Sequence, residues 1–286
     1  MYRVAEEIET PSRFVEARVL QAARDYAPLL RSGEAFSHTT ALLLYGAPID
    51  ATDALHTTTH WSQSPARGAA VRGHRTRIPF GPGAAPHGLI CVPPELALVQ
   101  CARLLPFREL VVAIDALILP QRGPRGRAIV SREDLAIRLR EISAPGIDRV
   151  RAALEVSRVG AESRYETLMR FEAARAGIDH LELQGDLFDE QGMWIGRFDL
   201  VDRVTRKIAE FDGEQHRLDR RQYLKDLRRL ELVRTVDFDV LRLHAENFAP
   251  GELAATRLRL CSFFEVHPRS PAPHLARYFA ESTDLR

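Results

Sequence analysis

The chain has 286 residues, with 40 Lys and Arg against 39 Asp and Glu and a formal net charge of +1. That length suffices for two modest domains, and the charge balance gives no global attraction to nucleic acid, so any such binding rests on local basic surfaces. Cys91, Cys101 and Cys261 offer neither a pairing framework nor C-x-x-C metal spacing; no run approaches the ~20 apolar residues of a membrane span; the acidic start lacks an apolar signal core; a cytoplasmic protein with reduced thiols and no membrane partner is expected.

Apolar residues at helical spacing (Phe14, Val15, Val19, Leu20, Ala23) predict a helix over 11–31. Ser37 or Thr39 is placed to cap a short helix that stops at Gly46-Ala47-Pro48. The Thr-rich run Leu55–Trp61 and the run Val71–Ile78 read as strands, 79–87 as a Pro/Gly loop, and Gly88–Val92 as a short strand before a helix opened by Pro93-Pro94. Leu110–Leu119 is apolar all round and predicts a buried core helix or strand. After the basic loop Pro120–Arg127, Ser131-Arg132-Glu133-Asp134 starts a helix, Ala144-Pro145-Gly146 breaks it, and Ile147–Val159 forms another.

Beyond Gly160 the pattern changes. One amphipathic helix (161–176) precedes strand candidates at 180–188, 194–202 and 205–212, a basic helix at 219–234, a strand at 238–243 and a closing helix at 250–265. The fold class expected is α/β: an α+β N-terminal domain (1–150), then a mixed sheet flanked by helices in αβββαβ order (155–265), with a flexible, Pro/Ser-rich tail (266–286).

Asp199 falls late in the second of these strands, and Glu210 and Asp212 flank Phe211 at the end of the third. Strand alternation puts Glu210 and Asp212 on one face. With strands about 4.8 Å apart, a hairpin brings all three carboxylates together. Such carboxylates raise one another's pKa, and a divalent cation relieves the conflict; oxygen donors favour Mg²⁺ or Mn²⁺ over zinc. Asp199 and Glu210 are the expected metal ligands, Asp212 assists, and His216 stands where it can move a proton or contact phosphate. The competing reading is that Asp199 and Asp202 cap a hairpin and Asp212-Gly213 is a turn. Glu162 and Glu166, one helical turn apart, either join the acidic site or have a capping or solvated role near the positive helix end.

Several stretches together carry a resemblance: Glu162-Ser163 and Glu166; Arg197-Phe198-Asp199; Ile208-Ala209-Glu210-Phe211-Asp212-Gly213 with His216; and Asp226, Arg229, Leu232 with the strand Phe238-Asp239-Val240-Leu241. Over 162–248 the chain resembles the branch of the PD-(D/E)xK restriction-endonuclease superfamily related to very-short-patch repair endonucleases. The resemblance implies a restriction-endonuclease-like αβββαβ core and Mg²⁺-dependent DNA cleavage. It departs in two places: Asp212 stands where the superfamily usually has lysine, and Asp237 where this branch usually has glycine. Residues 31–160 resemble, less specifically, the N-terminal part of chains related to AbiEi-type antitoxins, through Gly33–Ala41, Leu55-His56 and Val71–Arg75; residues 1–30 are too short for the antitoxins' winged helix.

Arg221, Lys225 and Arg228 form one stripe of the basic helix, and Arg206 and Lys207 crowd a hairpin turn; these are the candidate DNA-phosphate contacts, against the plainer reading of a solvated face. Asp226 and Arg229, at i, i+3, are placed to pair. Arg72, His74, Arg75 and Arg77 make a basic strand that forms a patch with Arg122, Arg125 and Arg127, and His56 and His60 share a strand face without the Cys or carboxylate company of a usual zinc site. The expectation is a Mg²⁺-dependent DNA endonuclease or nickase serving repair or phage defence, with DNA and a toxin or other defence protein as partners. The alternatives are an inactive, antitoxin-like DNA-binding transcriptional regulator and a protein-interaction module.

Overall fold

A computed structural model describes residues 11–50, 54–81, 83–120, 126–213 and 220–280, the side chains of 11–14, 84 and 220–227 excepted. The chain divides between Val159 and Gly160 into two units, a few residues beyond the expected start of the second domain at 155.

The first unit runs α1 (Pro11–Tyr26), β1 (Ala35–Phe36), α2 (His38–Leu44), β2 (Leu55–His60), β3 (Arg67–Gly68), β4 (Val71–Thr76), β5 (Gly83–Ala84), β6 (Ile90–Cys91), α3 (Pro94–Cys101), α4 (Phe107–Ile118), α5 (Arg132–Glu141) and α6 (Ile147–Val156). Its sheet has the order β3-β4-β2-β1-β6-β5 and is mixed: β2 lies parallel to β4, with Thr58 opposite His74, and antiparallel to β1. The expected loop 79–87 contributes the short β5, which pairs with β6. Thr57, Thr58 and Thr59 of β2 are all buried, as suits an interior strand rather than a half-exposed one. The apolar run at 110–119 resolves as helix: α4 buries Leu110, Val111, Ile114 and Leu117, each contributing about 1.5–3 kcal/mol. Its two buried acids are satisfied locally, Asp115 accepting from the Arg158 backbone N–H (2.9 Å) and Glu109 from that of Asp50 (3.3 Å). The Ser131 hydroxyl caps α5 by accepting from the Asp134 N–H. Ser37 occupies the N-cap position of α2 without capping it, because its hydroxyl bonds His38 Nδ1 instead (2.9 Å).

The second unit runs α7 (Arg164–Arg175), β7 (Glu182–Phe188), β8 (Trp194–Asp202), β9 (Lys207–Phe211), α8 (Arg220–Thr235), β10 (Asp239–Leu243), α9 (Leu253–Phe264) and α10 (Pro273–Phe279). The sheet order is β10-β9-β8-β7; β7, β8 and β9 form an antiparallel meander, and α8 carries the chain across to β10, parallel to β9. Leu187, Ile195, Phe198, Val201, Ile208 and Val233 form its core, with Phe238 and Val240 packed against them. Asp237, in the turn between α8 and β10, has φ 58°, the left-handed region that glycine enters freely and aspartate tolerates. The tail expected over 266–286 is not uniformly loose: residues 273–279 form α10, with Leu275, Tyr278 and Phe279 buried and Phe279 edge-on to Phe171 at 5.4 Å. Leu275, Tyr278 and Phe279 recur at i, i+3, i+4, a helical signal that the neighbouring prolines obscure.

Helices and mixed sheets place the chain in the α/β class. Among the described residues no helix is long and apolar enough to cross a membrane.

Candidate functional site

In the second unit, β8 and β9 pair with Leu200 opposite Ala209. Asp199 and Glu210 are the next residues outward on the two strands. The Asp199 carboxylate reaches across, Oδ2 accepting the Phe211 backbone N–H at 2.8 Å, so the side chain takes the place of a ladder partner. Its Oδ1 accepts from Gln184 Nε2 at 3.3 Å, and the same amide nitrogen donates to Glu166 Oε2 at 2.8 Å. Gln184 lies on β7 with φ 51°, a conformation that costs a non-glycine residue about 1–3 kcal/mol and recurs where structure must aim a side chain.

Glu166 arrives through helix capping. Ser163 is the N-cap of α7, its hydroxyl accepting from the Glu166 N–H (3.2 Å), and the Glu166 carboxylate accepts in return from the Glu162 N–H at 2.7 Å. The capping reading and the site reading of Glu166 are therefore both met, by one carboxylate. Glu162 stands further out, its side chain 3.4 Å from Arg197.

Glu210 is buried and held by Arg229, whose Nη2 lies 2.8 and 3.2 Å from its two oxygens. Arg229 crosses β8 to reach it, donating to the Arg197 carbonyl and lying 4.8 Å over the Phe198 ring. Gly196 permits this path: a Cβ there would sit 2.9 Å from Arg229 Cδ.

Burial raises the Glu166 carboxyl to about 7, with the nearby Asp199 charge adding to it. It also raises Asp199, against the hydrogen bonds from Phe211 and Gln184. Glu210 is likewise pushed up to about 7 by burial, although Arg229 pulls the other way. Glu166 and Glu210 thus hold protons near neutrality that exposed carboxyls would have lost, and burial moves Asp199 in the same direction.

The expected trio of Asp199, Glu210 and Asp212 is not assembled. Asp212 is turned to Arg242 (3.2 Å), and the three acids do not bring one oxygen each within 4.8 Å of one another. Phe211, between the two acids, stacks on Tyr165 of α7 at 4.4 Å. The acid that joins Asp199 is Glu166, through Gln184. Asp202, by contrast, is the turn residue that the plainer reading expects: its carboxylate accepts from the Val204 and Thr205 N–H groups.

His216 lies outside the described residues, as do the side chains of Arg221, Lys225 and Asp226; Arg122 and Arg125 lie outside them too. Arg228 is exposed on α8, and Arg206 is exposed and 3.3 Å from Asp237. Lys207 is not available as a phosphate contact, because its ammonium is mostly buried and paired with Glu265 at 2.7 Å. Arg229 pairs with Glu210; the pairing with Asp226 that the i, i+3 spacing suggests falls on a side chain outside the described residues.

In the first unit, His56 does not share a site with His60, which is exposed and bonded to Ser62. It meets His38 and His74 instead: His56 Nδ1 lies 2.9 Å from His74 Nε2, and the His38 and His74 rings are 3.9 Å apart. Burial lowers all three, His38 to about 2 and His56 to about 4, with His74 adding to each shift. His56 and His74 belong to parallel strands two register positions apart, and His38 enters from the first turn of α2. Spacing along the chain carries no sign of this meeting.

Comparisons with protein-family models, with curated proteins and with solved structures return no match to this chain.

Proposed function

We propose that the second unit is a Mg²⁺-dependent DNA endonuclease or nickase of the restriction-endonuclease-like kind, with Asp199 and Glu166 at its metal site and Glu210 beside them. The observation that supports this reading most is the convergence of Glu166 and Asp199 on one amide nitrogen, Gln184 Nε2, at the end of an αβββαβ sheet. The donors are all oxygens, and desolvation has already raised their pKa values; this set fits a hard divalent cation. Such a cation, when bound, polarises a phosphodiester and makes water acidic enough to attack it. The chain's own contributions are distinct. Gln184 orients the two carboxylates, Arg229 holds Glu210 in place, and exposed Arg228 and Arg206 supply charge for the DNA backbone. DNA as substrate, and service in repair or phage defence, rest on the resemblance of residues 162–248.

A second reading draws on a specific observation: Arg229 already neutralises Glu210, and Arg242 occupies Asp212. A chain with its acids paired in this way is suited to binding DNA without cutting it, as an antitoxin-like regulator does. Nicking of supercoiled plasmid separates the two. The nuclease reading expects nicking with Mg²⁺ or Mn²⁺ that falls at least ~10²–10³-fold in Asp199→Asn and Glu166→Gln, the scale on which a preorganised electrostatic group contributes. Tight DNA binding with no nicking in either metal selects the regulator.

A further inference from the structure

His38, His56 and His74 are the one group of three His, Cys, Asp or Glu side chains among the described residues whose ligand atoms all lie within 4.8 Å of one another. Three neutral imidazoles packed this closely share a single mutual hydrogen bond, His56 Nδ1 to His74 Nε2, which is poor compensation for burying so many polar nitrogens. An apolar trio would fill the same space without that penalty.

The surroundings are built to orient the rings. Ser37 Oγ engages His38 Nδ1 at 2.9 Å, which leaves Nε2 as the free ligand atom. Gln100 braces both elements, Oε1 accepting the His38 backbone N–H (3.3 Å) and Nε2 donating to Thr58 on β2 (3.1 Å). Outer partners of this kind fix the tautomer and direction of metal-binding histidines. His38 is also held at φ 53°, a conformation that costs energy unless the surroundings use it. Beside the cluster lies a cavity of about 300 Å³, walled by His38 and His74 together with Arg75, Gln100 and Arg103.

We infer that His38, His56 and His74 form a binding site for a divalent d-block cation of the Zn²⁺ class, with an open coordination position facing this cavity. Imidazole donors suit Zn²⁺ and its neighbours rather than Mg²⁺. Three protein ligands with one open position is the pattern of an ion that meets an exogenous ligand, whereas purely structural zinc takes four. Nitrogens about 2.0–2.1 Å from a tetrahedral ion stand roughly 3.4 Å apart. The ion therefore replaces the His56–His74 hydrogen bond with a small opening of the two rings. The site lies wholly in the first unit and is independent of the nuclease reading of the second.

The test uses the full chain, stripped with a chelator and titrated with Co²⁺, whose visible d–d absorption reports tetrahedral nitrogen ligation. One ion per chain is expected, displaced by Zn²⁺. Affinity should fall more than about a hundredfold in His56→Ala and in His74→Gln, since losing a direct ligand exceeds the 10–100-fold effect of an outer partner. His60→Ala, on the same strand and outside the cluster, should bind as wild type does. X-ray absorption of the Zn²⁺-loaded wild type counts imidazoles with no substitution at all, and three are expected. A folded wild type without the Co²⁺ band, a band that survives His74→Gln in a folded protein, or fewer than three imidazoles on Zn²⁺ overturns the assignment.

Discussion

The first unit gathers three imidazoles and the second sets Asp199 beside both Glu166 and Glu210, all of them partly or fully buried, and burial acts on the two sets with opposite sign. A buried imidazole reaches neutrality by shedding a proton, and a buried carboxyl by keeping one. Near pH 7 the His38, His56 and His74 cluster is already in its neutral form. Glu166 and Glu210, raised to about 7, are there caught in the middle of their titration. The first cluster is at rest in neutral solution. The second is under electrostatic load that a proton, an arginine or a cation can relieve. Glu210 has its arginine; Glu166 and Asp199 share the neutral amide of Gln184 and each accept one backbone N–H, with no ion pair to either carboxylate among the described residues.

The largest expected effect comes from removing that arginine. Arg229→Ala leaves the buried Glu210 without its counter-charge and uncovers Phe198. Breaking a fully buried pair costs roughly 3–5 kcal/mol; with the Arg229 side chain 30% exposed, a loss of about 2–3 kcal/mol is expected in denaturant unfolding. Adding Glu210→Gln to Arg229→Ala should recover most of it. If Arg229→Ala is neutral, Glu210 is solvated and the load described for this cluster does not exist.

The pH dependence of the two units should run in opposite directions. The folded pKa values of Glu166 and Glu210 lie above the unfolded value of about 4.3, so the native state holds extra protons. The second unit therefore loses stability as pH rises from about 4.5 to 7, by roughly 2 kcal/mol per group. For His38 and His56 the folded values lie below the unfolded value of about 6.5. The first unit is thus fully stable above that pH and weakens as pH falls, by roughly 2 kcal/mol from His38 between 6.5 and 4.5. The chain has two tryptophans, Trp61 in the first unit and Trp194 in the second. Trp61→Phe and Trp194→Phe each leave one reporter for one unit, and parallel pH slopes from the two would break the comparison. Glu166→Gln should flatten the slope of the second unit alone.

The smallest effects concern the outer surface. Arg228→Ala and Arg206→Ala should each lower the salt slope of DNA affinity by about 1, because each lost phosphate contact releases fewer counterions. Lys207→Ala should leave it unchanged, since that ammonium is committed to Glu265. An altered slope in Lys207→Ala alone would reverse this ordering of the basic residues.

What the sequence made legible follows the range of the forces involved. Element order and the neighbouring placement of Asp199 and Glu210 were readable, because strand periodicity and a short hairpin bring them together. Glu166 was readable as a cap, since Ser163-x-x-Glu166 is a local signal. Gln184 was not, because its role depends on a positive φ within a strand that its residue type does not announce. Asp212 was misplaced for a similar reason: alternation sets its face relative to Glu210, but the direction of its side chain is decided by Arg242, thirty positions away in the chain. The meeting of His38, His56 and His74 depends on the parallel register of β2 and β4 and the entry of α2, all of them tertiary. α10 was hidden by the prolines around it.

The central claim is that the load on Glu166 and Asp199 is relieved by a divalent cation. It is tested most directly by the melting of the second unit at pH 8, followed through Trp194 in a Trp61→Phe background, with and without Mn²⁺. The expected result is that wild type gains stability with Mn²⁺, by about 2.7 kcal/mol once the ion is at a hundred times its dissociation constant. Asp199→Asn should be at least as stable as wild type without the ion and gain little with it. No Mn²⁺-dependent shift in wild type, or an equal shift in Asp199→Asn, would contradict it.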